Sequence, residues 1–345
     1  MDNFDTGCMQ EAIALARLGW GHTNPNPMVG ALVVSPEGKI IGRGYHVRPG
    51  EPHAEVNAIQ DALRHCGSCK ECTIYVTLEP CCTTGRTPPC TDIIIKNGFA
   101  RVVVGALDPN PKHSGKGIEI LKNAGIACVT GVCQEECVEL NRPFFKYITT
   151  GKPFVILKMA MTLDGKIANP DGLSKWITGV EARKRVQKLR RLSDAIMVGG
   201  GTLRADHPGL TVREPEDWTP QPRRIIVSES MDDEEIAAFF PDGNVERVAP
   251  RSKEQWRQLV ERLGSEKCMV LLIEGGGELA DTVLKAGIVD YVEFHIAPML
   301  LGGRSSVPVL GGNHPGTLAD ALRLHRVKVT SYGSDIAVSG YTQEG

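Results

Sequence analysis

Two periods of apolar residues run along the chain, one helical and one strand-like. Residues 5–19 carry Met9, Ile13, Leu15 and Ala16 at helical spacing, with Asp5 or Thr6 placed to cap that helix. ALVVSPEGKIIGRGY (31–45) reads as two strands around a Pro-Glu-Gly turn. Val56, Ile59 and Leu63 predict one face of a helix over 53–64, and TIYVT (73–77) is a short strand. DIIIKNG (92–98) predicts a helix closed by Gly98. RVVVGA (101–106) and IACVT (126–130) are strands with a helix near 115–124 between them, and a helical segment follows over 134–148. This alternation argues for a sheet layered with helices, an α/β fold.

The pattern resets at TTGKP, which precedes a new apolar strand, FVILKMAM. A boundary there gives two domains, 1–149 and 150–345. The second predicts strands near 154–161, 194–199, 223–228, 269–273 and 290–297, with helices near 180–191, 254–264 and 277–286. Residues 214–222 and 229–250 are polar and poorly patterned, and are expected to be loop-rich. The 345-residue length suits two domains of ordinary size.

Composition narrows the function classes. A net charge of −2 does not suit a protein that coats nucleic acid. No apolar run is long enough to span a bilayer, and the start, MDNFDTGCMQ, lacks the apolar core of a secretory signal. A cytoplasmic protein is expected. Its eleven cysteines are then thiols and metal ligands rather than disulfides.

Three of those cysteines sit in LEPCCTTGRTPPC (78–90). Its partner is PHAEVNAI (52–59), where His53 and Glu55 open a predicted helix. A zinc deaminase needs three protein ligands and one open position for water. His53, Cys81 and Cys90 supply the three. Zinc acidifies the water, and a carboxylate that is not a ligand must move its proton to the departing ammonia. Glu55, two residues from His53, is placed for that. The usual signature has two residues between its cysteines, whereas eight separate Cys81 from Cys90. Cys82 points oppositely to Cys81 in an extended backbone, and only Cys81 follows a proline. A structural zinc knot is the alternative, but it would need a fourth ligand. CGSCKEC (66–72) could hold a metal of its own, although its loop-like filling fits incidental thiols; Cys8 and Cys268 carry no motif.

In the second half, Gly275-Gly276-Gly277 follows the strand VLLI and opens a helix, and GGG (199–201) follows AIMV. Such turns let backbone amides approach a phosphate, and two of them fit one dinucleotide across strand ends. The spacing is not that of the Rossmann fingerprint, and two plain tight turns fit the sequence as well.

HAEVNAI, TLEPC, GRTPPC and DPNP (108–111), with LKMAMTLDGKIA, SKWITG, GGGTLRADHPGLTVR, IEGGGELA and APMLLGG in order, resemble the bifunctional riboflavin-biosynthesis deaminase–reductase family of bacteria over essentially the whole chain. The resemblance implies a cytidine-deaminase-like domain followed by a dihydrofolate-reductase-like domain. The first would deaminate 2,5-diamino-6-ribosylamino-4(3H)-pyrimidinone 5′-phosphate with one zinc per chain. The second would reduce the ribosyl side chain to ribityl with NADPH. It further implies zinc on His53, Cys81 and Cys90, with Glu55 as proton shuttle. Asn26, His46 and Arg86 would hold the pyrimidine or its phosphate, although Asn26 also fits a turn between two prolines. NADPH would contact Met161, Trp176, Thr202, Asp206 and the turn Gly276, Gly277, Glu278, Leu279, Ala280, Asp281 and Thr282. Ser174, Arg190, Leu210, Arg213 and Glu274 would contact the sugar phosphate; Arg190 also fits the solvated face of the basic helix 181–191. Lys158 and Asp164 match family positions near the chemistry. A homo-oligomer is also implied. The chain departs from the family after the first zinc cysteine, where Cys82-Thr83 stands for the usual Ser-His, and His207 stands beside Asp206 where an acid or amide is more usual.

Overall fold

A computed structural model describes residues 3–83, 88–110, 113–313 and 316–344. The chain forms two compact units that meet in sequence at Thr150 and Gly151. In the first, α1 (Asn3–Ala16), β1 (Gly30–Val34), β2 (Ile40–Tyr45), α2 (Ala54–Cys66), β3 (Thr73–Leu78), α3 (Cys90–Lys96), β4 (Arg101–Ala106), α4 (Lys116–Asn123) and β5 (Ala127–Thr130) build one layered sheet, followed by α5 (Gln134–Leu140) and α6 (Arg142–Thr150). Strand order is β2-β1-β3-β4-β5. The β1 pairings are antiparallel, and β3, β4 and β5 run parallel.

Helix α2 carries the predicted zinc histidine at its N-cap. Its buried face is Ala54, Glu55, Ala58, Ile59 and Ala62, not the predicted stripe ending in Leu63, which is exposed. The cause lies in β2. A Cβ on Gly42 would stand 2.3 Å from the Ala58 carbonyl oxygen, and one on Gly44 would stand 2.3 Å from the Ala58 nitrogen. Alanines over glycines bring helix and strand closer than a leucine would allow.

Asp5 lies inside α1 and is no cap. Its carboxylate accepts from Tyr75 Oη at 2.7 Å and from Arg101 Nη1 and Nη2 at 2.8 and 2.6 Å, tying the helix to β3 and β4. The arginine bonds hold its carboxyl below the usual carboxylate range against the opposing effect of burial. The expected single helix over 134–148 breaks at Asn141, whose side-chain amide bonds both backbone groups of Met28 at 2.8 Å. Cys69 and Cys72 pack in this unit's core, where burial raises both thiols, while Cys66 is exposed.

The second unit comprises β6 (Phe154–Thr162), β7 (Lys166–Ala168), α7 (Val180–Leu192), β8 (Ala195–Gly199), α8 (Gly200–Asp206), β9 (Arg223–Val227), α9 (Asp233–Phe239), β10 (Val245–Val248), α10 (Lys253–Ser265), β11 (Val270–Ile273), α11 (Gly277–Ala286), β12 (Tyr291–Ala297), β13 (Val307–Pro308), β14 (His325–Tyr332) and β15 (Asp335–Tyr341). The main sheet runs β10-β9-β8-β11-β6-β12-β15-β14, parallel as far as β12 and antiparallel beyond. One face packs Val155, Leu157, Met197 and Leu271 against Trp256, Leu263 and Val283 of α10 and α11. Register is fixed by two carboxylates. Asp194 accepts from Met269 and Val270 nitrogens at 2.8 and 2.9 Å, and Asp290 accepts from Val155 nitrogen at 2.7 Å. The stretch 229–250, expected to be loop-rich, contains α9 and β10; Asp232 caps α9 by accepting from Glu235 nitrogen at 2.8 Å. The β14–β15 hairpin was not predicted at all.

The α2 contact generates a test. Gly44→Ala should destabilise the first unit by about 1–3 kcal/mol through overpacking, read as a lowered midpoint in denaturant; a change inside about 0.5 kcal/mol would mean that the helix tolerates a wider spacing.

Candidate active site

The first site gathers where α2, the end of β3 and the start of α3 meet. His53 is the N-cap of α2, Cys81 follows β3 through Pro80, and Cys90 opens α3. Their ligating atoms all lie within 4.8 Å of one another. His53 Nδ1 stands 3.6 Å from Cys81 Sγ and 3.3 Å from Cys90 Sγ, so this ring nitrogen faces both sulfurs. Hydrogen bonds from the Cys90 thiol and from His53 hold the Cys81 thiol well below its ordinary range, even though burial opposes them. One imidazole nitrogen and two sulfurs at this spacing suit tetrahedral zinc with a fourth position left for water. Among the described residues no other group of three or more histidine, cysteine or acidic side chains comes this close.

Glu55 sits one helical step inside the ligand and is 3% exposed. Burial pushes its carboxyl up to about 7, and the negative Cys81 adds to the shift. A carboxyl poised near neutrality can both take and give a proton.

Two predicted substrate contacts join this site. His46 packs edge-on to His53 with ring centroids 5.4 Å apart. Its Nδ1 lies 3.3 Å from the Pro52 carbonyl oxygen, an acceptor only, so Nδ1 carries the hydrogen. Nε2 is then an acceptor, and Asn26 Nδ2 donates to it at 3.1 Å. Burial lowers the pKa of His46 and favours this neutral ring. Arg86 lies outside the described residues.

Glu79 escaped sequence reasoning. Its buried carboxylate accepts from the backbone nitrogens of Asp108, Gly115 and Gly117 at 3.2, 2.8 and 2.9 Å. It therefore ties the cysteine segment to the loop after β4. That loop brings His113 Nδ1 to 3.6 Å from Cys82 Sγ, while Thr83 is exposed. Cys82 thus faces away from the His53 cluster, toward a histidine of another loop.

The second unit carries a cavity of about 590 Å³ at the ends of β6, β8 and β11. Both glycine turns reach it, and their strands, β8 and β11, are neighbours in the sheet. Trp176, Thr202, Asp206, Gly276, Gly277, Glu278 and Leu279 line it, as do Ser174, Arg190, Arg213 and Glu274. Met161, Leu210, Ala280, Asp281 and Thr282 do not. Leu210 and Ala280 are buried, Asp281 pairs with Lys285 at 2.7 Å, and Thr282 Oγ1 donates to the Glu278 carbonyl. Asp164 is also absent from the lining: it accepts from Thr162 Oγ1 and from the nitrogens of Leu301 and Gly302, bonds that pull its carboxyl down to about 2. Arg190 is no solvated cation. It donates through Nε and Nη2 to Glu274 at 2.6 and 2.7 Å in a buried bidentate pair. Ser174 Oγ donates to Asp206, while Trp176 is 67% exposed at the rim with the Arg183 guanidinium 4.6 Å over its ring.

Residues 2–106 match the cytidine and deoxycytidylate deaminase zinc-binding region, and residues 153–338 match the RibD C-terminal domain. The riboflavin biosynthesis protein RibD of Aquifex aeolicus is 42% identical, with 97% of each chain covered. The chain belongs to the RibD family. Among solved structures, RibD of Acinetobacter baumannii superposes with a TM-score of 0.85 at 37% identity over 99% of both chains. The diaminohydroxyphosphoribosylaminopyrimidine deaminase/5-amino-6-(5-phosphoribosylamino)uracil reductase of Thermotoga maritima gives 0.84 at 34% identity over 98% of both. As a RibD, the chain is a bifunctional enzyme of riboflavin biosynthesis, with a zinc-type deaminase half followed by a reductase half. The reductase domain implies a nucleotide cofactor. No described helix is long and apolar enough to cross a membrane.

Lys158 entered the RibD comparison only as a family position. It lines the cavity from β6, is 9% exposed, and makes no hydrogen bond or ion pair within 4.0 Å among the described residues. A lysine inside the otherwise apolar run FVILKMAM was the sequence signal for it.

Elemental analysis checks the metal centre of this RibD. One zinc per chain is expected, lost in His53→Ala and Cys81→Ser and kept in Cys82→Ser; zinc that leaves with Cys82 instead would move the ligand to the neighbouring sulfur.

Proposed function

We propose that residues 1–149 deaminate 2,5-diamino-6-ribosylamino-4(3H)-pyrimidinone 5′-phosphate. Residues 150–345 then reduce 5-amino-6-(5-phosphoribosylamino)uracil to the ribitylamino product with NADPH, both reactions taking place in the cytoplasm. The observation that carries this reading is a buried acid, Glu55, beside a three-ligand His53, Cys81 and Cys90 cluster that leaves one position open.

The zinc ion supplies a water of lowered pKa at that open position. Glu55 takes the proton from the attacking water and hands it to the amino group as it leaves as ammonia. Its carboxyl, pushed up to about 7, suits both directions of transfer. Asn26 spends its amide nitrogen on His46, which leaves its carbonyl oxygen to accept from a pyrimidine N–H. Arg86 supplies a cation for the substrate phosphate.

In the reductase half, NADPH supplies a hydride. Two glycine turns at the ends of adjacent strands, and the first amides of α11, suit its phosphates. Opening of the ribosylamine ring breaks C1′–O4′, passes the nitrogen's proton to O4′ and leaves a C1′=N bond; the hydride of bound NADPH would reduce C1′, and the nitrogen would then need a proton. The Lys158 ammonium, which makes no hydrogen bond or ion pair among the described residues and lines the cavity, is the proton source. Arg213 at the same cavity supplies charge for the sugar phosphate. The edge strand β14, exposed along most of its length with Val327 and Val329 open, supports a homo-oligomer.

Two measurements on the full-length enzyme separate the halves. Glu55→Gln should slow ammonia release by about 10²- to 10⁴-fold, with zinc content and NADPH oxidation by the deaminated substrate unchanged. Undiminished ammonia release would remove Glu55 from the chemistry, and oxidation of NADH as fast as NADPH would overturn the cofactor assignment.

A further inference from the structure

Strand β12 reads YVEFHIA, a mostly buried strand with Glu293 and His295 at alternate positions after Tyr291. Alternation sends both to one face of the sheet. Glu293 is 2% exposed and His295 is 0%. In the parallel pairing with β6, Glu293 stands beside Lys158 and His295 beside Ala160. Neighbours in register leave the sheet on the same side, so Glu293 and Lys158 share a face.

Helix α7 supplies two arginines to that face. Arg185 donates through Nε and Nη2 to Glu293 Oε1 and Oε2 at 3.0 and 2.8 Å. Five residues on, Arg190 holds Glu274 in the same bidentate way. His295 Nε2 lies 2.8 Å from Glu293 Oε1. A carboxylate only accepts, so Nε2 carries the hydrogen. Nδ1 then has no hydrogen-bond partner among the described residues. A second proton on that ring would add a buried cation beside Arg185 and Lys158, and the burial of His295 disfavours it. His295 therefore donates to Glu293 without adding charge.

Lys158 lies near two carboxylates, each bonded through both oxygens to an arginine of α7. The charged and titratable groups around it among the described residues are Glu274 and Arg190, with Arg213 behind them, and Glu293 with Arg185 and His295, with Tyr291 and Tyr332 near Arg185 and Tyr332 next to the histidine ring at 5.6 Å. Burial loosens the lysine's proton, and the two carboxylates oppose that.

We infer that Glu293, held by Arg185 and His295, is a positioning residue for the reduction: together with Glu274 it supplies counter-charge to the Lys158 ammonium at the cavity while being bonded to Arg185 and His295 rather than to the lysine. Contact with a free carboxylate would hold the ammonium away from substrate. A carboxylate fixed at a distance preserves the charge and leaves the donor available. The inference rests on the proton-donor role proposed above for Lys158.

The test is the pH profile of reduction, measured with the zinc-loaded full chain, deaminated substrate and NADPH. A protonated donor gives a rate that falls on the alkaline side. In Glu293→Gln, Arg185 remains uncompensated near Lys158, and that limb should move to lower pH by about one unit, with ammonia release in the other half unchanged. In Arg185→Gln, Glu293 is freed to face the lysine and the limb should move to higher pH. Opposite displacements cannot come from general loss of structure, and should Glu293→Gln fail to fold, the Arg185→Gln displacement alone decides. A limb that stays fixed while the rate drops equally at every pH would make Glu293 merely structural and overturn the inference. Undiminished reduction by Lys158→Met would instead remove the donor role itself.

Discussion

The first half depends on how closely one helix can approach one strand. Gly42 and Gly44 leave room for the alanines of α2 to rest on the backbone of β2. That spacing sets the depth at which α2 begins, and so where His53 and Glu55 stand relative to the cysteines that follow β3. Glu55 is buried at the start of that helix, and the missing solvation is the larger part of what brings its carboxyl near neutrality.

The reductase half solves a different problem, the placing of charge in an apolar sheet. Its parallel strands are buried on both faces, where an unpaired ion is costly. Helix α7 answers with two arginines, one bonded bidentately to Glu293 on β12 and the other to Glu274 just past the end of β11. The burial that the basic helix achieves through Ala182, Val186 and Leu189 brings those arginines inward. A helix that reads as a solvated face thus becomes the source of the cavity's electrostatics.

Much of this was legible in the order of residues, because the zinc motifs are local. His53 and Glu55 are two apart on one helix start, and a proline precedes each cysteine ligand. Periodicity found most strands and helices of both halves, since their apolar runs are long. It missed α9, β10 and the β14–β15 hairpin, which are short or exposed and lack a continuous apolar stripe. It chose the wrong face of α2, because alanine counts for little in a hydrophobic pattern while the glycines that make alanine the right size lie on another element. Glu79 and Glu293 stayed hidden for the same reason: the partners of Glu79 are 29 or more residues away and the arginine partner of Glu293 is on α7, and neither separation leaves a mark in a short window.

The Glu79 carboxylate binds two amides of the loop after β4 and one at the start of α4, about thirty positions later or more, while its own next-but-one neighbour is Cys81. Letting that loop swing out would leave a bare carboxylate inside the protein, and letting Cys81 drift would drag the carboxylate from its amides. Metal affinity and loop order are therefore thermodynamically linked. The coupling is reciprocal: if metal binding at Cys81 steadies the segment around Asp108 and Gly117, a molecule that steadies that segment tightens the metal by the same coupling free energy.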